Sequence, residues 1–491
     1  MSPLSWTIAF IYLLCLGALA LYGLHRVALL KWILRKERPI PTGLDSWTPS
    51  VLVQLPIFNE PHVVVRLIDA AAEIDWPLDA LEIQVLDDST DHTTNLAQKR
   101  VDHWQQQGRK ISLIRRENRT GYKAGALAHG LRQSNGEFVA IFDADFIPPK
   151  DFLRAMMPSL SAQDVGLVQA RWSHLNRNYN WLTRTQATLL DGHFVIEHTA
   201  RYRAQRFFNF NGTAGIWRRR CIEEAGGWSH DTVTEDLDLS YRAQLQGWNF
   251  VYRVDVTAPA ELPSSMQAFL QQQHRWTKGT VQTARKLLRP ICRSQFSWGI
   301  RLEAVNHLTM VTAYPLVLLL SILLPPSILA RTHLMSDGAQ WMDMMVIACT
   351  TGSMGLFYGQ TIRRAGGRLT HQWWEIIMAM MIGIGMSPNQ TMAFAEGLFS
   401  ADATFVRTPK HGTNNLSIAT PKIRLGSQAF TMLMAVYYIC TIVWAIHAQY
   451  WMSLPFIFIF GIGYGAVSLR LLLEGWRPVA NTEMDVVRVA K

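Results

Sequence analysis

Residues 138–145 read Phe-Val-Ala-Ile-Phe-Asp-Ala-Asp, an apolar run that ends in two acids. Such a run predicts a buried β-strand, so Asp143 and Asp145 follow directly after its carboxyl end. Open α/β sheets bind ligands at that edge. Two carboxylates there can hold one divalent cation next to a diphosphate, although Asp-x-Asp is also common in ordinary turns.

The chain on either side of this segment alternates between short apolar runs and amphipathic stretches. Helical patterns cover residues 61–73 and 93–107, among others, and further strand candidates lie at 51–55, 83–86, 111–114 and 166–169. Strand–helix alternation of this kind predicts an α/β domain with a largely parallel sheet over residues 49–289.

Composition indicates that this domain is joined to membrane helices. Of the 491 residues 49% are hydrophobic, and the mean hydropathy of +0.06 is high for a soluble enzyme. The first apolar run, residues 6–24, has no Lys or Arg before it and a basic stretch after it. A secretory signal carries its positive charge in front, so we expect a span with its N-terminus outside.

Four later runs are long enough to cross a bilayer, which takes about 20 residues. They cover residues 308–330, 341–360, 427–447 and 451–473, and basic clusters follow the second and the fourth. Five spans from an outside N-terminus put both clusters in the cytosol. The shorter runs at 373–386 and 389–399 predict interfacial helices, and residues 262–288 predict an amphipathic helix or helix pair on the cytosolic face.

Charge and cysteine content exclude several classes of protein. The net charge is +10, but much of it flanks apolar segments, and no nucleic-acid module is recognisable, so we expect no nucleic-acid partner. None of the five cysteines forms a Cys-x-x-Cys pair, which argues against a zinc site or a disulfide framework.

Two more acidic motifs occupy comparable positions. Asp87 and Asp88 follow the strand candidate at 83–86, where they could bind a nucleoside or cap the helix that starts near Thr93. Glu235 and Asp236 precede a helical pattern. Asp236 could act as a general base, or Thr232 and Glu235 could simply form a capping box.

A fourth motif, Gln272-Gln-His-Arg275-Trp276, lies in the amphipathic stretch before the second span. Trp and Arg are frequent membrane-interface anchors. They also offer a flat face for a sugar ring and a fork for a diphosphate. Lys123 could neutralise a phosphate group. His193 and His198 flank Glu197, but their spacing does not fit the metal-binding helix of a zinc protease.

At these motifs the sequence resembles the processive family 2 glycosyltransferases, the cellulose, chitin and hyaluronan synthases. It resembles in particular the plant cellulose-synthase-like branch that makes mannan and xyloglucan backbones. The similar stretches include IQVLDDSTD, NRTGYKAGAL, IFDADF, FNGTAGIWR, TEDLDL and QQHRW, within residues 51–289. The resemblance implies a GT-A type, Rossmann-like catalytic domain in the cytosol.

The resemblance also implies roles for individual residues. Asp236 would be the catalytic base with Glu235 beside it, and Asp143 and Asp145 would bind Mg²⁺ or Mn²⁺. Donor binding would fall to Asp87, Asp88, Lys123, Asp143, Gln272 and Arg275, and acceptor binding to Trp276, Asn211, Gly212 and Thr213. Phe405, Thr408 and Lys410 match a gating loop, with Arg407 in place of its usual Val.

The implied domain layout follows the spans. It comprises an N-terminal span over 1–30, the catalytic domain over 31–300, a helix pair over 301–362, interfacial helices and the gating-type loop over 363–425, a second pair over 426–475 and a cytosolic tail over 476–491.

The expected function is inverting polymerisation of a β-glucan or β-mannan from UDP-glucose or GDP-mannose. Secretion of the growing polysaccharide across the plasma membrane would follow, with or without accessory proteins. Two alternatives stay open: a transferase that adds one sugar to a lipid acceptor, and a transporter or scaffold with a decayed transferase domain.

Overall fold

A computed structural model describes residues 3–36, 47–332, 338–400, 425–451 and 453–475. The strands are β1 Val51–Ile57, β2 Leu81–Asp87, β3 Ile111–Arg115, β4 Phe138–Ile141, β5 Val165–His174, β6 Gly215–Arg218 and β7 Asn249–Ala260. The first ten α-helices, up to the end of the α/β domain, are α1 Pro3–Trp32, α2 Val64–Ala72, α3 Thr93–Gln106, α4 Tyr122–Leu131, α5 Phe152–Met156, α6 Trp181–Asp191, α7 Thr199–Arg203, α8 Arg219–Glu224, α9 Glu235–Leu245 and α10 Met266–Arg293. Those that follow are α11 Trp298–Thr309, α12 Ala313–Thr332, α13 Gly338–Arg364, α14 Leu369–Gly385, α15 Ser387–Phe399, α16 Leu425–His447 and α17 Leu454–Gly475.

The seven strands form one sheet in the order β3-β2-β1-β4-β6-β5-β7. Neighbouring strands are parallel except at β6, which is antiparallel to both β4 and β5. The predicted mostly parallel α/β sheet is therefore confirmed, and all five strand candidates form strands. Strands β6 and β7 were not among those candidates. Because β1, β2 and β4 are adjacent and parallel, the loops that follow them meet at one edge of the sheet.

Side chains that alternate along each strand build a separate core on each face of the sheet. Val51, Val53 and Leu55 point to one core, which α2 covers, while Leu52 points to the other, against Leu127 of α4 and Trp217 of β6.

Helix α4 is attached to the sheet by two buried glutamines. The Gln54 side-chain amide donates to the carbonyl of Leu127 at 3.2 Å, and the Gln84 amide donates to that of Gly130 at 3.0 Å. Gln54 also donates to Gln84 at 3.2 Å. Buried amides bonded in this way fix the position of α4 on the sheet.

Four helices are long and apolar enough to cross a membrane: Pro3–Trp32, Trp298–Ala330, Gly426–His447 and Leu454–Gly475. The run at 341–360, predicted as a further span, does form a helix, α13. It falls short of the apolarity of the other four because Asp343 and several Thr, Ser, Gly and Gln residues interrupt it. About five spans were expected, and four meet these criteria within the described residues.

The shorter apolar runs form α14 and α15, as helices below the length of a span. The amphipathic stretch expected over 262–288 is one continuous helix, α10, which begins at Met266 and extends to Arg293.

Candidate active site

A cavity opens at the edge where β1, β2 and β4 end, and the four predicted motifs meet there. The predicted site residues among those that line it are Asp88, Lys123, Asp143, Asp145, Asn211, Gly212, Glu235, Asp236, Gln272, Arg275 and Trp276. Residues from the strand-end loops, from the start of α9 and from α10 thus share one space of about 160 Å³.

Lys123, near the start of α4, is half-buried and lines this cavity. Its ammonium group contacts a carboxylate oxygen of Asp143 and donates to the carbonyl of Gly212 at 2.8 Å. Glu235 lies 4.0 Å away. Burial alone would lower the pKa of Lys123, but the charges of Asp143, Glu235 and Asp236 raise it above its ordinary value. The side chain therefore stays a cation in the cavity.

Gly212 lies against the Asp236 carboxylate and Lys123. Its φ of +82° belongs to the left-handed region that favours glycine. A Cβ at this position would lie 2.9 Å from Asp236 Oδ2 and 3.3 Å from Lys123 Nζ. The missing side chain thus lets the backbone approach the carboxylate.

Asp236 occupies the first turn of α9, and its Oδ1 accepts a hydrogen bond from the Leu237 amide at 2.8 Å. Burial raises its pKa to about 7, and the neighbouring Glu235 adds to the shift while Lys123 opposes it. A carboxylate with a pKa near neutrality can both accept a proton and release it again.

Helix α10 packs directly against the start of α9. Gln282 accepts from the Val233 amide at 3.0 Å, and a Cβ on Gly279 would lie 2.4 Å from the Thr234 side chain. The missing side chain of Gly279 lets α10 approach the residue that precedes α9 this closely. One turn before Gly279, Arg275 is half-buried near the acids. Its desolvation lowers its pKa, whereas the charges of Glu235, Asp143, Asp236 and Asp145 act to raise it.

The first turn of α10 is hydrogen-bonded to a residue of α17, more than 200 positions later in the sequence. Glu474 on α17 accepts from the Met266 amide at 2.8 Å and from the Gln267 amide at 3.1 Å. Arg470, one turn earlier, donates to the same carboxylate at 2.8 Å. A carboxylate there satisfies unpaired amides and complements the helix dipole.

The cavity end near β1 and β2 is built around Asp88. Arg116 donates to Asp88 Oδ1 at 2.9 Å and contacts Oδ2 as well. Arg119 stacks on the Phe58 ring, 3.3 Å from its centroid. The result is a flat cationic surface beside a carboxylate.

Some predicted site residues lie elsewhere. Asp87 is buried outside the cavity lining, where its carboxylate accepts from the Ser89 amide at 2.8 Å and from the Thr94 hydroxyl at 2.6 Å. It therefore orders the loop before α3 and does not cap that helix, whose N-cap position is His92. Thr213 is buried too, and its hydroxyl accepts from the Asp143 amide at 2.9 Å.

Two further expectations have different outcomes. The capping box of Thr232 and Glu235 is wrong, because α9 begins one residue after Thr234, and Thr234 makes no side-chain cap. Phe405, Thr408 and Lys410 of the gating-type loop lie outside the described residues.

Asp143 and Asp145 fit a divalent cation of the kind that phosphates help to bind. Both line the cavity, and they follow β4 on one short loop. Among the described residues no group of three or more His, Cys, Asp or Glu side chains is arranged to enclose a metal. Mg²⁺ typically uses only one or two carboxylates plus substrate phosphates, so this pair suits it.

A second cavity of about 330 Å³ adjoins the first and shares Asn211, Asp236 and Trp276 with it. It extends to Tyr314 on α12 and Gly383 on α14, towards the apolar helices. His193 and Glu197 also line it. His193 and His198 were set aside from sequence because their spacing from Glu197 does not fit a zinc-protease helix.

A mostly parallel sheet with this acidic cavity at its carboxyl edge is the arrangement of the GT-A fold. Residues 49–279 match the family model described as "Glycosyltransferase like family 2". Among solved structures, a mannosyltransferase from Pyrobaculum calidifontis shares the fold, with a TM-score of 0.54 at 21% identity over 81% of this chain and 99% of that one.

The predicted resemblance to the mannan-synthase-like branch is confirmed. The chain is 44% identical over 293 residues to glucomannan 4-beta-mannosyltransferase 2 of Arabidopsis thaliana, covering 56% of this chain and 55% of the relative. It is 42% identical to glucomannan 4-beta-mannosyltransferase 1 of Oryza sativa subsp. japonica, covering 56% of each. The chain thus spans about half the length of the curated relatives it matches.

Replacing Gly212 with Ala should impair transfer without unfolding the protein. The added Cβ would press on Asp236 Oδ2, so the carboxylate or the loop must move. Gly108→Ala is the matched control, because Gly108 has a φ of +81° but no atom within 4 Å of where a Cβ would lie. Sugar transfer and melting temperature of the purified proteins test this. Equal loss of activity in both variants would refute a specific role for the close approach.

Proposed function

We propose that the protein is a membrane-embedded inverting glycosyltransferase that builds a β-linked mannan or glucan from GDP-mannose or UDP-glucose. The observation that carries this proposal is the meeting of Asp145, Asp236 and Trp276 in one cavity. The relatives named as glucomannan 4-beta-mannosyltransferases favour a mannosyl donor. The four apolar helices support a membrane location, and the basic flanks favour a cytosolic catalytic domain.

The donor would lie across the strand ends. Its nucleoside would sit by Asp88 and the Phe58–Arg119 stack, where a planar base can stack and a ribose hydroxyl can donate to a carboxylate. Its diphosphate would lie near Arg275 and Lys123. The similar fold of a mannosyltransferase solved with GDP-mannose and Mn²⁺ supports a metal-assisted site.

In the reaction the acceptor hydroxyl attacks the anomeric carbon while the bond from that carbon to the phosphate oxygen breaks, so the configuration inverts. Asp236 takes the hydroxyl proton as the new bond forms. Arg275 and Lys123 face the charge that builds on the departing nucleoside diphosphate. A Mg²⁺ or Mn²⁺ held by Asp143 and Asp145 would supply further charge stabilisation there.

The second cavity suits the acceptor. Trp276 offers an aromatic face to a sugar ring, and Asn211 offers a polar edge. Because this space extends to α12 and α14, a product that grows into it would move towards the apolar helices. We propose that the chain uses this route to pass the polysaccharide across the plasma membrane.

Membranes containing the protein should transfer label from one nucleotide sugar in a panel that includes GDP-mannose, UDP-glucose and GDP-glucose, with Mg²⁺ or Mn²⁺ present. We expect a long, lipid-free product by size analysis and loss of synthesis after chelation. A single sugar on an extractable lipid would favour the alternative transferase, and no transfer from any donor would overturn the proposal.

Asp236→Asn should abolish transfer while donor binding persists, because the amide keeps the shape but cannot accept the proton. A general base contributes typically about 10²–10⁴ in rate. Calorimetric titration with the donor and single-turnover transfer measure the two properties separately. Synthesis above about a tenth of the wild-type rate would rule out this base.

The rate should depend on pH through the same carboxylate. With a pKa of about 7, Asp236 is protonated below neutrality and cannot take a proton, so kcat/KM should rise from about pH 6 to about pH 8 and then level off. Burial is the main cause of the raised pKa. A rate that stays flat across this range would contradict the assignment.

A further inference from the structure

The end of α1, the loop after α7 and the start of α11 meet at one place on the surface. Two of the helices long enough to cross a membrane, Pro3–Trp32 and Trp298–Ala330, each have one end there. The guanidinium of Arg206, on the loop after α7, lies 5.5 Å from the centre of the Trp32 ring. A Cβ on Gly299 would lie 2.7 Å from Nη2 of the same guanidinium. Arg206 therefore lies between the ends of these two apolar helices.

A second arginine, Arg35, adds its charge to this place. It follows the end of α1 and is exposed, whereas Arg206 is half-buried. Partial burial lowers the pKa of Arg206, the charge of Arg35 lowers it further, and Glu303 acts in the opposite direction. Two like charges that act on each other in this way are less unfavourable once an anion lies between them.

The described part of the chain supplies no carboxylate that pairs with either guanidinium. Glu303, whose charge acts on Arg206, is already bonded to Arg201 at 2.9 Å and to His25 at 2.7 Å. Nε of Arg206 is buried and has no hydrogen-bond partner among the described residues. Arg35 and Arg206 together are called the arginine pair below, and they offer an anion both charge and unused donors.

An exposed apolar face of α11 lies beside the arginine pair. Trp298 is 79% exposed, and Leu302, one turn further along, is 69% exposed. Residues four apart lie on one face of a helix, and this face adjoins Gly299, which contacts Arg206. Arg301 lies over the Trp298 ring, 4.2 Å from its centre. Tryptophan is enriched where the hydrocarbon of a bilayer meets its headgroups, so this face suits the acyl chains of a lipid.

We propose that Arg35 and Arg206 bind the headgroup phosphate of one anionic phospholipid, whose acyl chains lie along Trp298 and Leu302. The planar fork of a guanidinium matches the oxygens of a phosphate, and basic pockets between membrane helices bind anionic headgroups. A zwitterionic headgroup fits less well, because its ammonium group would meet the same two cations. The partner is a lipid rather than free phosphate, since the arginine pair borders an apolar surface that a free ion would leave uncovered.

A lipid bound here would stabilise a segment that extends to the second cavity. The Arg206 amide donates to the carbonyl of Arg201 at 2.8 Å. The Arg201 side chain is fully buried and donates to Glu197 at 3.1 Å, and Glu197 lines the second cavity. The bound lipid would thus stabilise the folded protein without taking part in the proposed reaction.

The test compares phosphatidylglycerol with phosphatidylcholine as ligands of the detergent-solubilised full chain, with dissociation constants from native mass spectrometry. Each basic residue near an anionic headgroup contributes about a fivefold factor in affinity. The wild type should therefore bind phosphatidylglycerol about 25-fold more tightly than phosphatidylcholine. The double variant Arg35→Gln/Arg206→Gln should lose this preference, while its affinity for phosphatidylcholine stays within about twofold of wild type.

Arg154→Gln/Arg220→Gln is the matched control, because it removes the same net charge from the α/β domain. Arg154 lies over the Trp76 ring at 5.1 Å and Arg220 over the Trp248 ring at 5.9 Å, so both are arginines next to a tryptophan, as Arg206 is. Each is already paired with an acid. The control should keep the preference for phosphatidylglycerol to within about twofold.

Three results would overturn the inference. They are an unchanged preference in Arg35→Gln/Arg206→Gln, an equal loss in the control, and inorganic phosphate that binds as tightly as phosphatidylglycerol, which would mark a free-anion site. Equal melting temperatures without added lipid show that the variants fold. If the double variant fails to fold, the two single variants decide, each with an expected loss of about fivefold. The readout is lipid binding, so membranes that transfer no sugar would defeat the proposed function and leave this result unchanged.

Discussion

The site depends on a concentration of negative charge that few cations offset. Asp143, Asp145, Glu235 and Asp236 share one cavity, and Lys123 and Arg275 are the cations that lie nearest to this group of acids. Burial and the charge of Glu235 raise the pKa of Asp236, and the surrounding carboxylates keep Lys123 protonated. The same excess suits a divalent cation with a diphosphate. The left-handed backbone at Gly212, the close approach of α10 at Gly279 and the buried glutamines under α4 all serve to hold these charges together.

Much of this arrangement could be predicted from local patterns. Apolar runs located β1, β2 and β4, those at β2 and β4 end in acids, and parallel neighbours necessarily end at the same edge. That reasoning alone brings Asp88, Asp143 and Asp145 to one place. The relative positions of the motifs on α9 and α10 were harder to predict, because the sequence spacing of Asp236 and Trp276 does not indicate that their helices are in contact. Resemblance to a known family supplied that link.

The remainder depended on contacts that local sequence does not encode. Asp87 and Asp88 are adjacent and chemically identical, yet strand alternation buries one and directs the other to the cavity. His193 and His198 were set aside because their spacing from Glu197 does not fit a zinc-protease helix, whereas the π-helix Gly192–His198 brings these two rings, five residues apart, to 4.3 Å between centroids. Strand β6 runs against its neighbours, and α13 is helical but too polar to match the other apolar helices.

The contact of the Glu474 carboxylate with α10 affects the order in which the protein assembles during synthesis. This carboxylate caps a helix whose first residue lies 208 positions earlier. A ribosome that has finished the whole α/β sheet has therefore not yet produced the group that secures Gln272 and Arg275. Helix α17 must dock before α10 has its full set of partners. Assembly of the cavity wall formed by α10 is thereby tied to docking of α17, so a half-made chain lacks a fully fixed α10.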